Sequence, residues 1–79
     1  MRLQLLLYTT SHCHLCEQAE SMLCALSTQV DLDLTRIEIA EDEVLLTLYG
    51  TKIPVIKRQD NNLELGWPFA AVELKSFIQ

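Results

Sequence analysis

A chain of 79 residues, 49% hydrophobic and 22% charged, has room for one folded domain, but not for a complete dinucleotide-binding domain or a TIM barrel; its balance is that of a globular protein rather than a disordered one. Six Lys and Arg against eleven Asp and Glu leave a formal net charge of −5. With no basic run, the chain is not expected to bind nucleic acid, which draws on a basic face.

The chain opens with Leu-Gln-Leu-Leu-Leu-Tyr over residues 3–8, a near-continuous apolar run that suits a central strand buried on both faces. It is shorter than a secretory apolar core and lacks a small-residue cleavage site. Nothing approaches the roughly 18 apolar residues of a membrane span, so a cytoplasmic protein without a membrane partner is expected. Thr9, Thr10, Ser11 and His12 then form a short polar loop. From His14 to about Thr28 the spacing predicts a helix, with Leu15, Ala19, Met22, Leu23 and Leu26 on one stripe. Residues 33–39 alternate with period two, as a half-exposed strand does.

Glu41, Asp42 and Glu43 suit the first turn of a second helix, where the helix dipole favours negative charge. Val44, Leu45, Leu48 and Tyr49 supply its apolar face and Gly50 a natural stop. Ile53-Pro54-Val55-Ile56-Lys57 is predicted as a third strand that begins with a proline. Asp60-Asn61-Asn62 is a turn signal, and residues 63–65 make a short fourth strand. Pro68 is placed to open a last helix whose apolar positions are Phe69, Val72, Leu74, Phe77 and Ile78. The order β-α-β-α-β-β-α, with a right-handed parallel first unit and a hairpin of the last two strands, predicts an α/β fold. It is a four-stranded mixed sheet with helices on both faces, in one domain over residues 1–79.

Three cysteines cannot pair completely within one chain, which speaks against a disulfide-stapled secreted scaffold. Two of them, Cys13 and Cys16, form a C-x-x-C at a strand-to-helix junction. Positions three apart on a helical turn face each other, so two sulfurs there can close a disulfide without unfolding. The first lies at the helix N-terminus, where unpaired N–H groups and the dipole stabilise a thiolate. The thiolate attacks, and the second sulfur resolves the mixed disulfide. Two readings stand beside this one: a pair of packed cysteines, and a metal cluster shared by two chains. A metal site within one chain lacks ligands, because structural zinc takes four and His12 and His14 flank Cys13 too closely to converge with it. Cys24, about 16 Å along the same helix, is out of disulfide reach and reads as a surface thiol.

Around the pair, His12 and His14 would each lower the Cys13 pKa when protonated, and Glu17 would oppose this. A proline that starts a strand donates no N–H, and the peptide bond before it is open to the cis form. If that strand lies beside residues 3–8, the backbone N–H and C=O of Ile53 are placed to pair with an extended substrate near Pro54. Tyr8, Trp67 and Phe69 are the aromatics that would border such a site, Trp67 more as a lid over the last helix than as a substrate contact. Lys57 and Arg58 read as solvated strand-end charges.

Leu7 to Cys16, then Tyr49 to Ile56 with Ile53-Pro54, then Leu65-Gly66-Trp67-Pro68-Phe69 resemble the glutaredoxin-like proteins of the thioredoxin superfamily, closest to a small bacterial glutaredoxin-like group. The resemblance covers essentially the whole chain. It implies a thioredoxin-like fold, a nucleophile at Cys13, a resolving cysteine at Cys16 and a cis proline at Pro54. It also implies glutathione or a thioredoxin-reductase-type flavoenzyme as electron donor. Three stretches depart from the glutaredoxin pattern. His14-Leu15 replaces Pro-Tyr between the cysteines, Thr10-Ser11-His12 lacks a basic residue before them, and Gly66-Trp67-Pro68-Phe69 replaces a Gly-Gly-x-Asp-like turn. Pro68 offers no N–H to a glutathione carboxylate, so glutathione is expected to reduce the oxidised protein poorly compared with a dithiol.

The expectation is therefore a monomeric thiol–disulfide oxidoreductase with no bound cofactor and no metal. Its substrate would be a disulfide in a protein or small molecule, and its donor a reductase or low-molecular-weight thiol. The alternative is a thioredoxin-fold module that binds extended peptide without turnover.

Overall fold

The computed structural model describes residues 2–79. The elements run β1 (Leu3–Thr9), α1 (His14–Leu26), β2 (Leu32–Glu38), α2 (Glu43–Tyr49), β3 (Val55–Arg58), β4 (Glu64–Gly66) and α3 (Ala71–Phe77). The strands form one sheet in the order β2-β1-β3-β4. β1 is parallel to β2, from Leu3↔Leu32 to Thr9↔Glu38. It is antiparallel to β3, from Leu5↔Arg58 to Tyr8↔Val55, and β3 and β4 form an antiparallel hairpin. The predicted order, the mixed sheet and the hairpin are all present.

Because side chains alternate along a strand, β1 feeds two cores. Leu5 and Leu7, with Ile56 of β3, meet Ala19 and Leu23 of α1 and Phe69, Leu74 and Ile78 of the C-terminal segment. On the other face Tyr8 and Val55 meet Ile39 and Tyr49, with Leu6, Ile37 and Leu45 packed around them. Helices therefore lie on both faces, α1 and α3 on one and α2 on the other. Full burial of each large apolar side chain contributes about 1.5–3 kcal/mol.

Several expectations shift by one position. Leu15 is 44% exposed, and the buried residues of α1 are Cys16, Ala19 and Leu23. The stripe runs through the second cysteine, and Leu15, one residue earlier, is turned about 100° from it. Of the four apolar positions expected on α2, Leu45 and Tyr49 pack inward, whereas Val44 and Leu48 are exposed. On α3, Val72 is exposed and the inward positions are Leu74 and Ile78. Gly50 does end α2, but with right-handed φ −53° and ψ −34°. Its contribution is space: a Cβ there would meet the Leu46 carbonyl oxygen at 2.5 Å.

The last helix begins at Ala71, not at Pro68. The Ala70 N–H at its start donates to the Glu73 carboxylate at 2.9 Å, and Pro68 follows a cis peptide in the preceding segment. β3 begins at Val55 rather than Ile53, since Pro54 has no N–H for a ladder.

Arg58 is not a solvated charge. Its side chain is 13% exposed, and its guanidinium donates to both Asp60 oxygens at 3.0 and 2.7 Å. It also donates to the Phe77 and Gln79 carbonyls at 2.7 and 2.8 Å. It thus ties the β3–β4 turn to the end of α3. Among the described residues no helix is long and apolar enough to cross a membrane.

Candidate functional site

The segment between β1 and α1 is held by hydrogen bonds that strand register brings into reach. Pairing of Thr9 with Glu38 puts the Glu38 carboxylate beside the loop. One of its oxygens accepts from the Ser11 N–H at 3.2 Å and the Ser11 hydroxyl at 3.3 Å. The other accepts from the Ala40 N–H at 3.0 Å. These donors, Ala40 foremost, hold the Glu38 carboxyl below the usual carboxylate range. His12 turns the chain in the left-handed region, φ 59°, a conformation that histidine visits more readily than most non-glycine residues.

Cys13 follows as the N-cap of α1, with extended φ −108° and ψ 104°. Its carbonyl starts the helix by accepting from the Glu17 N–H at 3.1 Å. Its sulfur accepts from the Cys16 N–H at 3.2 Å, so a helix-terminal donor points at the first sulfur of the pair. Cys13 and Cys16 form a disulfide with their Cα atoms 5.2 Å apart. The two are not equivalent: Cys13 is partly exposed, whereas Cys16 is 3% exposed. A cavity of about 340 Å³ opens beside them, lined among others by Ser11, His12, Glu17, Arg36 and Glu38. Cys24 is a free, exposed cysteine on the same helix.

The other sequence-predicted site residues divide. His12 lies in this cavity. His14 is exposed, and its Nδ1 stands 3.7 Å from Glu17 Oε2. Tyr8 is absent from the lining of this cavity. It is buried and stacks on Tyr49, ring centroids 4.2 Å apart, because the alternation of β1 turns it into the smaller core. Pro54 is buried behind a cis Ile53–Pro54 peptide. The Tyr8↔Val55 register puts it at the end of β1 from which the Cys13 loop departs. The Ile53 N–H, expected to be free for a substrate strand, donates instead to the Tyr49 carbonyl at 3.1 Å. The Pro54 carbonyl is taken by the Trp67 N–H at 3.1 Å.

Trp67 packs edge-on against Phe69, 5.0 Å between centroids, and is partly buried against the main core, as a lid would be. It also lines a second cavity of about 420 Å³ with Thr51, Lys52 and Glu64. In that cavity's wall the Tyr49 hydroxyl donates to Glu64. This bond and burial raise the Tyr49 pKa above the ordinary phenol value.

Sequence reasoning did not single out Glu38, Arg36 or the Tyr49–Glu64 pair. The signal for Glu38 was available only through register: it ends the strand parallel to the one that carries the redox loop.

Comparison with known proteins agrees with this geometry. Residues 4–79 match the family model described as Glutaredoxin-like domain (DUF836). No match was found among curated proteins. Among solved structures, target protein XcR50 from X. campestris is 34% identical over 92% of this chain and 92% of its own, TM-score 0.80. Protein Ne2328 from Nitrosomonas europaea is 26% identical over 98% of this chain and 92% of its own, TM-score 0.84. Thioredoxin O2 from Arabidopsis thaliana, in the oxidized state, shares the fold at 19% identity and TM-score 0.68, over 95% of this chain and 70% of its own. The chain belongs to the glutaredoxin-like domain family and has the thioredoxin fold.

Proposed function

We propose that this protein is a thiol–disulfide oxidoreductase working through Cys13 and Cys16. The observation that carries the reading is the asymmetry of the pair. Cys13 is accessible and capped by the Cys16 N–H, while Cys16 lies one turn deeper and buried, within bonding distance of it. In the reduced protein the Cys13 thiolate attacks one sulfur of a substrate R–S–S–R, forming Cys13–S–S–R and releasing one thiolate R–S⁻. Cys16 gives up its proton and attacks the Cys13 sulfur, which releases the second R–S⁻ and closes the Cys13–Cys16 disulfide. Two electrons have passed from protein dithiol to substrate. A dithiol donor, small or carried by a reductase, returns them by the reverse sequence. The substrate is a disulfide of a protein or small molecule, and the setting is the reducing cytoplasm, with the protein as a monomer. The departures at His14-Leu15 and Trp67-Pro68 favour a dithiol over glutathione as donor.

The test is a titration in redox buffers with thiols trapped by alkylation and counted by mass. A single two-electron transition confined to Cys13 and Cys16, between about −270 and −120 mV, is the expected result, with Cys24 alkylated throughout. Failure of the two cysteines to pair reversibly would discard the catalytic reading in favour of a binding module.

A further inference from the structure

The cavity beside Cys13 has a lopsided charge. Glu17, Glu20 and Glu38 line it against one cation, Arg36. That cation is already engaged, since one guanidinium nitrogen donates to both Glu20 oxygens at 3.3 and 3.0 Å. The two Glu38 oxygens are spent on Ser11 and Ala40. Glu17 differs. Its carboxylate is exposed, and its contact among the described residues is His14 Nδ1 at 3.7 Å, longer than a charge-assisted hydrogen bond. It stands one helical turn after Cys13, whose carbonyl takes the Glu17 N–H. A group bound to the sulfur of Cys13 therefore shares its cavity with an unspent carboxylate, and the one Arg of the wall, Arg36, is already paired with Glu20.

We infer that Glu17 is a specificity-determining residue that selects disulfides carrying positive charge, ammonium or guanidinium, beside the scissile bond, and disfavours those flanked by carboxylates. This rests on the oxidoreductase reading above and narrows its substrate class. Glu38 deepens the negative potential, the charge of Glu20 being offset by Arg36, and Glu17 makes the contact. In water, opposite unit charges about 6 Å apart attract enough to change a rate about threefold, and salt weakens this.

The experiment follows the oxidation of reduced full-length protein by three small symmetric disulfides. They are cystamine with two ammonium groups, neutral bis(2-hydroxyethyl) disulfide, and 3,3′-dithiodipropionate with two carboxylates. Each rate is divided by that of dithiothreitol with the same disulfide, which removes intrinsic differences between leaving groups. The expected order is cationic, neutral, anionic, about threefold apart per step at low ionic strength and converging as salt is added.

Glu17→Gln should lower the cationic-to-neutral ratio about threefold, and Glu17→Lys should bring it below one. Asp33→Asn removes the same charge at the far end of β2, where Asp33 pairs with Gln4, and should leave the ratio where it was. Equal normalised rates for all three disulfides, or a ratio indifferent to Glu17, would overturn the selectivity while leaving the oxidoreductase intact. No reaction with any of the three would overturn the oxidoreductase reading and this inference with it.

Discussion

Reducing the Cys13–Cys16 bond should loosen the protein slightly and leave it folded. The loop that the bond closes is short, with a sequence separation of 3. The chain-entropy relation gives a ring of this size about 2 kcal/mol of stabilisation. Against it stands a gain in the reduced form: the Cys16 N–H, already 3.2 Å from the Cys13 sulfur, and the helix terminus around it favour a thiolate by about 0.3–1 kcal/mol. The oxidised domain should therefore be more stable than the reduced one by about 1–2 kcal/mol. By linkage its disulfide should be harder to reduce than that of the unfolded chain, by roughly 20–45 mV. Urea unfolding with and without a dithiol reductant measures the first figure. Redox titration in native buffer and in concentrated urea measures the second, and the two must agree. Reduction that unfolds the domain would show the bond to be a structural staple. A reduced form more stable than the oxidised one would show that thiolate stabilisation had been underestimated, and the protein would then be an oxidant.

Leu23→Ala empties a fully buried position where α1 meets β1 and should cost about 3–5 kcal/mol, read as a shift of the urea midpoint; a loss under 1 kcal/mol would contradict the packing described. Glu38 has its pKa lowered below 4.5, first by the Ala40 N–H. Its stabilising contribution is thus complete above that pH and lost as pH falls through the depressed folded value. The stability difference between the parent protein and Glu38→Gln should shrink as pH falls below 4.5 and through the depressed value, and a difference constant with pH would reject the clamp. Tyr49 has its pKa raised above 10, with Glu64 the largest cause. Its bond therefore stabilises fully below pH 10 and fails only as pH rises through the raised value. Phenolate absorbance should show a late component that Tyr49→Phe removes and Glu64→Gln moves down towards 10; an unmoved midpoint in Glu64→Gln would assign the shift elsewhere.

The parts of the fold that could be read in advance were those written as local periodicity. The apolar run of β1, the alternation of β2 and the Asp60-Asn61-Asn62 turn each depend on residues within a few positions. So does the helix start at Cys13. Errors arose where two residues competed for one inward direction. Leu15 is the more apolar by type, yet Cys16 takes the core position because the helix phase is fixed by Ala19 and Leu23. α2 and α3 are 7 residues each, too short for a stripe to distinguish Leu45 from Val44 or Leu74 from Val72.

The candidate site was legible as far as Cys13, Cys16 and His12, which are neighbours in sequence. Its far wall was not. Glu38 and Arg36 arrive through parallel register, and the loss of the Ile53 N–H to Tyr49 depends on how α2 ends. Arg58 was misjudged for the same reason, since its carbonyl partners lie at the other end of the final helix.

The place of β1 inside the sheet has a consequence for synthesis. It leaves the ribosome before both its neighbours, β2 coming next and then β3 on the opposite side. Until Val55–Arg58 has emerged, a nascent chain ending in α2 offers a row of unpaired backbone groups and the apolar faces of Leu5, Leu7 and Ile39. Such an open edge is what stray strands join. Stalled or truncated translation products that stop short of β3 are therefore the form of this protein most exposed to aggregation and to capture by chaperones.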